Sequence, residues 1–281
     1  MFLNKISFVF FILCYSSLNY LCEADSLPNF WPKAKKDMPL VTKTIPVGKK
    51  LDCDYSRYTP DPKLGTGNQE ESQRYVFELK DGATLSNCII GAAPGTQGSA
   101  HGILCSGSCT VVNVFFEDVG EDAITFRGTS GNSVYNVVGG AALHASDKVL
   151  QVDGKGTLKV TNYYVKDYVR FCRSCGNCDE QFQRNIEITN LTAINGKSGQ
   201  FVCGINSNYK DKCTLHDIKM EIGVHPCKTF TGVENDKKEP SSNNKEENNG
   251  DEQGDGTYCI YKSSDIKYIT NSKPKKKSGR K

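Results

Sequence analysis

The chain has 281 residues, 37% of them hydrophobic, which is enough for one large domain or two small ones and for a sizeable core. Its formal charge of +3 conceals an acidic block of net −5 at residues 234–255 and six cations at 273–281; with both set aside the body carries +2. That excludes the broad basic face that duplex nucleic acid requires, so no nucleic-acid partner is expected.

Lys5, an apolar run over residues 6–13 and a more polar stretch ending near residues 22–24 read as a secretory signal spanning residues 1–24. The run is too short and too soon broken to span a membrane. The mature protein is therefore expected to be extracellular, with no membrane partner. Thirteen cysteines suit an oxidising compartment. Without Cys14 and Cys22 eleven remain, an odd number, so at least one thiol is free or pairs between chains. Cys105 with Cys109 and Cys203 with Cys213 look like local bridges, and Cys227 with Cys259 would close the acidic insertion into a loop. The run Cys172, Cys175, Cys178 could hold a metal in a cytosolic protein, but in a secreted chain it points to disulfides.

From residue 44 onward the chain is a series of short β-rich phrases, each with an apolar residue, one spacer, Asn or Asp, and more apolar residues. The anchors are Asn87, Asn113, Asn136, Asn162, Asn190 and Asp217, at separations of 26, 23, 26, 28 and 27. Such a period suits one coil of a β-solenoid, each coil covering the apolar face of the next. Gly or Asn breaks every run before a long amphipathic helix could form. The expected fold is all-β, a disulfide-stapled right-handed parallel β-helix over residues 26–233, whose recurring Asn side chains stack in register as structural ladders. Residues 234–257 are too polar to bury a core and read as a mobile acidic loop. A last β segment, 258–270, returns to cover the stack, and a basic tail occupies 271–281. Asn190-Leu191-Thr192 is a glycosylation sequon, plausible only if its turn faces solvent.

The stretch NVFFEDVGEDAITFR, residues 113–127, crowds Glu117, Asp118, Glu121 and Asp122 among strand-like apolar residues. Carboxylates at this spacing repel unless they face water, hold protons or share a cation. Alone, the stretch reads as a solvated turn; the sharper reading is a hard-cation site with Glu121 and Asp122 as oxygen ligands for Ca²⁺.

Four blocks in order resemble the pectate lyases of polysaccharide lyase family 3, particularly the secreted enzymes of plant-parasitic nematodes. They are QEESQRYVFELKDGATLSNCIIG (69–91), CTVVNVFFEDVGEDAITFR (109–127), GGAALHASDKVLQVDGKG (139–156) and VKDYVRFCRSCGNC (165–178). The resemblance implies a parallel β-helix and Ca²⁺-dependent eliminative cleavage of α-1,4-linked polygalacturonate, the pectin of plant cell walls, by a monomer. It matches Glu121 and Asp122 to the family's calcium-binding Glu-Asp pair, with Asp118 and Glu71 as further candidates. It places Lys148 as the base that takes the C5 proton, Arg173 as the alternative base, Arg170 with Arg173 as clamps on the substrate carboxylate, and Arg127 as a substrate-binding residue. Guanidinium stays protonated and grips a carboxylate with its planar fork, whereas positive neighbours would favour a lysine's neutral form. His101 stands where the family carries an acid, and imidazole is a poor ligand for a hard cation. Two other readings follow: a catalytically impaired pectin-binding β-helix, or a polygalacturonase-like hydrolase, which would need an acid and base carboxylate pair. His144 reads as a solvent-facing turn residue.

Overall fold

The computed structural model describes residues 27–235, 237–243 and 248–269; the expected signal (1–24) and basic tail (271–281) lie outside them. The chain divides into two compact units, Met1–Pro32 and Lys33–Lys281. Of the first, only a short turn at 28–31 is described, closed by the Trp31 N–H donating to the Pro28 carbonyl at 2.8 Å. The second is a parallel β-helix.

Each coil contributes strands to three parallel sheets, and residues one coil apart pair in register. The core column follows from that register. Phe77 pairs with Ile103, Ile103 with Ile124, Ile124 with Leu150, Leu150 with Cys172, Cys172 with Cys203, and Cys203 with Cys227. These side chains are essentially inaccessible to solvent. Burying each large aliphatic or aromatic member stabilises the stack by roughly 1.5–3 kcal/mol. The final described segment pairs onto the stack, Cys259 with Cys213 and Ile266 with Ile218.

The corner between two faces is built on left-handed backbone. Asn87, Asn113, Asn162, Asn190 and Asp217 all have φ between 51° and 59°, a conformation that Asn and Asp tolerate better than other L-residues. Their amides ladder along the helix axis: Asn113 donates to Asn87 Oδ1 at 3.3 Å and Asn190 to Asn162 Oδ1 at 2.7 Å. One anchor is corrected. Asn136 lies in a strand, paired with Thr110 and Lys159, and the corner position belongs to Gly139, with φ of +66°. A Cβ there would meet Asn113 Oδ1 at 2.3 Å, so the ladder's own amide fills the space that a side chain would need. Asn190, the sequon residue, is exposed and spends one of its two amide hydrogens on Asn162. A second left-handed row, His144, Asp167 and Asn195, turns another corner, and His144 is exposed there, as expected.

Four disulfides are formed: Cys53–Cys88, Cys105–Cys109, Cys175–Cys178 and Cys227–Cys259. The expected Cys203–Cys213 bridge is corrected. Both are reduced and buried with Cys172. Cys203 belongs to the core column of one sheet and Cys213 to another, where they pack as small apolar side chains.

The described part of the acidic insertion differs from the solvated loop that its composition predicts. Ser241–Ser242 pairs antiparallel with Phe230 and Thr231. Asn248 is buried, donating to the Val224 carbonyl at 2.9 Å and the Tyr268 hydroxyl at 3.0 Å, and Glu252 Oε1 lies 2.6 Å from His225 Nδ1. Polar composition is compatible with packing here because Asn248 and Glu252 Oε1 find hydrogen-bond partners. Among the described residues no helix is long and apolar enough to cross a membrane.

Candidate active site

One sheet face carries the chemistry, and register explains why. Asp122 pairs with Lys148, and Lys148 with Arg170. One row deeper along the strands, Thr125 pairs with Gln151, Gln151 with Arg173, Arg173 with Gly204, and Gly204 with Lys228. Residues separated by 22 to 31 positions in sequence thus stand side by side.

Lys148 is the centre of an ionic cluster. Its Nζ lies 3.0 Å from Glu121 Oε1 and 3.5 Å from Asp122 Oδ1, and it also bonds Asp147. Glu121 is 1% and Asp122 3% exposed, so two carboxylates have been taken almost wholly out of water. Oxygens of Glu121, Asp122 and Asp147 fall within 4.8 Å of one another. Glu121 Oε2 meets only the His101 ring nitrogen, and Asp122 Oδ1 has nothing closer than Lys148 Nζ at 3.5 Å. A hard divalent cation is the partner that such an all-oxygen corner fits.

Asp147 was not singled out in the sequence, although the signal is present: an acid directly preceding the proposed cleft lysine. It supplies the third carboxylate of the corner, so the imidazole at His101 does not leave Glu121 and Asp122 as its only oxygen donors. His101 instead lies with Nδ1 3.0 Å from Glu121 Oε2, its ring stacked on Tyr75 at 4.9 Å. Glu71 approaches Glu121 and His101 in a second, overlapping group. Asp118 joins neither; its carbonyl accepts the Ser99 N–H at 2.8 Å, and its carboxyl faces the His144 side.

Electrostatics follow from this crowding. Burial, reinforced by neighbouring carboxylates, raises the Asp122 carboxyl well above its usual value against the opposing pull of Lys148. For Glu121 burial acts upward, but His101 and Lys148 together hold its carboxyl below the usual range. Burial acts to lower Lys148, and Asp122, Asp147 and Glu121 outweigh it, so the amine is held above the ordinary lysine value. The expectation that cations crowd Lys148 is therefore corrected: three carboxylates surround it.

The two clamp candidates differ. Arg170 donates through Nη1 to Asp147 and through Nε to Gln200 Oε1 at 3.1 Å, with its head partly open to solvent. Arg173 is 7% exposed, donates from Nη1 to Asn206 Oδ1 at 3.0 Å, and lies 4.1 Å above the Phe230 ring. Its Nη2 is buried without a hydrogen-bond acceptor. Burial drives its pKa down to about 9, with the positive charges of Arg170 and Arg184 contributing. Arg127 stands apart from the cleft lining, paired with Asp153 at 2.9 Å and 5.8 Å from the Tyr75 ring.

A cleft of about 580 Å³ runs along this face, bounded by Glu71, Asp147, Lys148 and Arg170 at one end and by Lys228, Phe230, Glu239 and Pro240 at the other. Gln151, Gln200 and Phe201 also line it, and none of these was legible as a site residue. They carry no distinctive spacing and are gathered only by coil register.

Comparison with known proteins fits this geometry. A sequence model described as pectate lyase matches residues 28–237. A probable pectate lyase F of Aspergillus terreus is 41% identical over 67% of this chain and 77% of its own length. A probable pectate lyase E of Aspergillus fumigatus is 38% identical over 70% of this chain and 71% of its own. Among solved structures, the catalytic domain of a pectate lyase from Erwinia chrysanthemi superposes with a TM-score of 0.62 at 27% identity, covering 80% of this chain and 97% of that one. A pectate lyase from the same organism, solved in complex with tetragalacturonic acid, gives 0.61 at 29% identity over 80% of this chain and 69% of that one.

Proposed function

The chain belongs to the pectate lyase family and is a pectate lyase, and from that premise we propose that it cleaves α-1,4-linked polygalacturonate by Ca²⁺-dependent β-elimination, as a secreted monomer. The observation that carries the calcium dependence is the buried corner of Glu121, Asp122 and Asp147, whose oxygens converge within 4.8 Å of one another. Bound there, the ion would neutralise the substrate carboxylate beside C5 and so make the C5 proton more acidic. Four disulfides support secretion, since such bridges persist outside the cytosol.

The chain's own residues divide the remaining work. Arg170, partly open to the cleft, grips the substrate carboxylate with its planar fork. Lys148, which lines the cleft with Arg170, would accept the C5 proton only as a neutral amine, a form that Asp122, Asp147 and Glu121 oppose until a bound cation neutralises them. The C5–H electron pair becomes the C4–C5 double bond, the C4–O bond breaks, and the departing glycosidic oxygen takes up a proton. Asp147 bonds both Lys148 and Arg170 and so fixes their spacing. Asp118 and Arg127 have no place in this scheme, and Glu71 serves at its edge.

A second assignment of the base has its own support. Arg173 has no carboxylate within hydrogen-bonding distance among its described contacts, and burial brings its pKa to about 9, within reach of an alkaline working pH. The test is an assay of wild type, Lys148→Ala and Arg173→Lys on polygalacturonate, with calcium or chelator, following the ultraviolet absorbance of the unsaturated product. Product only with calcium, and none from folded Lys148→Ala, supports the reading. Reducing ends without the chromophore would replace elimination with hydrolysis, and an active Lys148→Ala would move the base to Arg173.

A further inference from the structure

The acidic insertion reaches the cleft. The antiparallel pairing of Phe230 with Ser242 and Thr231 with Ser241 folds the chain between them back over the sheet face. Pro240 then seats against Gly176: a Cβ at Gly176 would lie 2.6 Å from Pro240 Cγ and 2.5 Å from Arg173 Nη2. Glu239 and Pro240 line the same cavity as Lys148 and Arg170, at its opposite end.

That end has the composition of a carbohydrate subsite. Phe230, with the Arg173 guanidinium 4.1 Å from one face and Phe201 edge-on at 5.5 Å, leaves its remaining surface with Pro240 for the C–H face of a sugar ring. Lys228 brings an ammonium whose Nζ also donates to the Gly199 carbonyl at 3.2 Å. Glu239 adds an exposed carboxylate, an acceptor for neighbouring hydroxyls. Along their shared row Lys228 stands three strand spacings beyond Gln151. At about 4.8 Å per spacing the two backbone positions are roughly 14 Å apart.

We propose that Lys228, Phe230, Glu239 and Pro240 form a distal subsite that binds one uronate unit of a polygalacturonate chain, built partly by the acidic insertion. The inference rests on the pectate lyase reading for its ligand. Lys228 meets the unit's carboxylate, Glu239 accepts from its hydroxyls, and Phe230 with Pro240 form the platform. Chains long enough to reach this end gain affinity that shorter ones lack.

The experiment measures two ratios across oligogalacturonides of increasing length. One is kcat/KM with calcium, and the other is calorimetric affinity in chelator. In wild type both rise with length until the distal subsite is filled. Glu239→Ala and Lys228→Ala each reduce the last rise by about 5-fold or more and move the plateau one unit shorter, while Lys238→Ala on the same arm leaves it in place. Ratios unchanged in Glu239→Ala and Lys228→Ala overturn the subsite even where the enzyme is active. A protein that yields no unsaturated product but keeps the length-dependent affinity, lost in those variants, overturns the lyase chemistry and leaves the subsite standing.

Discussion

Lys148 Nζ lies 3.0 Å from Glu121 Oε1, so the ammonium of the proposed base is itself the counterion of the proposed calcium corner. Lysine and calcium therefore draw on the same buried carboxylates. Removing the lysine leaves Glu121, Asp122 and Asp147 to repel one another out of water, a loss on the order of 3–5 kcal/mol for a broken buried pair. Lys148→Ala should melt well below wild type in chelator, and calcium should raise its Tm by more than it raises wild type's. Equal calcium shifts in the two proteins, measured by calorimetry, would show that the ion does not bind in this corner.

Asp147→Asn tests the third oxygen. The substitution keeps shape and removes the charge that Lys148 and Arg170 both bond. Calcium affinity should fall on the order of 10–100-fold, the range seen when a group that supports a metal site is altered. KM for polygalacturonate should rise as Arg170 loses its anchor. Isothermal titration with calcium alone separates the first effect from the second.

The scaffold was far more legible in the sequence than the site. A period of apolar phrases is a property of the chain itself, and it gave the coil. Register between coils is not, because it depends on how many residues each corner consumes. The one misplaced anchor, Asn136 for Gly139, shows the difficulty: glycine satisfies a left-handed corner as well as asparagine does, yet carries no polar signal. The same limit hid Gln151, Gln200 and Lys228, ordinary polar residues until the stack sets Gln151 and Lys228 in one row with Arg173 and brings Gln200 onto Arg170. Cys203 and Cys213 misled in the opposite direction, since closeness in sequence suggested a bridge between side chains that belong to different sheets.

The pH dependence separates the two candidate bases. A base must be unprotonated to act, so kcat should be low below its pKa and rise as pH passes through it. If Arg173 serves, burial predicts a rise centred at about 9, and Arg173→Lys should move that midpoint. If Lys148 serves, Arg173→Lys changes KM and leaves the midpoint of kcat in place. A profile flat from neutral to alkaline pH would remove both residues from the proton transfer.

Gly139 offers a test of the ladder that is independent of catalysis. Its φ of +66° costs an L-residue such as alanine about 1–2 kcal/mol, and the added Cβ, 2.3 Å from Asn113 Oδ1, must also displace that amide. Gly139→Ala should therefore lose roughly 1–3 kcal/mol in denaturant unfolding. Gly139→Asn meets the same Cβ contact, but it tolerates the left-handed backbone and offers an amide that can pair with its neighbours as Asn190 does with Asn162. It should lose less than half as much. If asparagine proved as damaging as alanine, the corner would be held by space alone, and the recurring Asn side chains would owe their positions to backbone tolerance rather than to the hydrogen bonds between them.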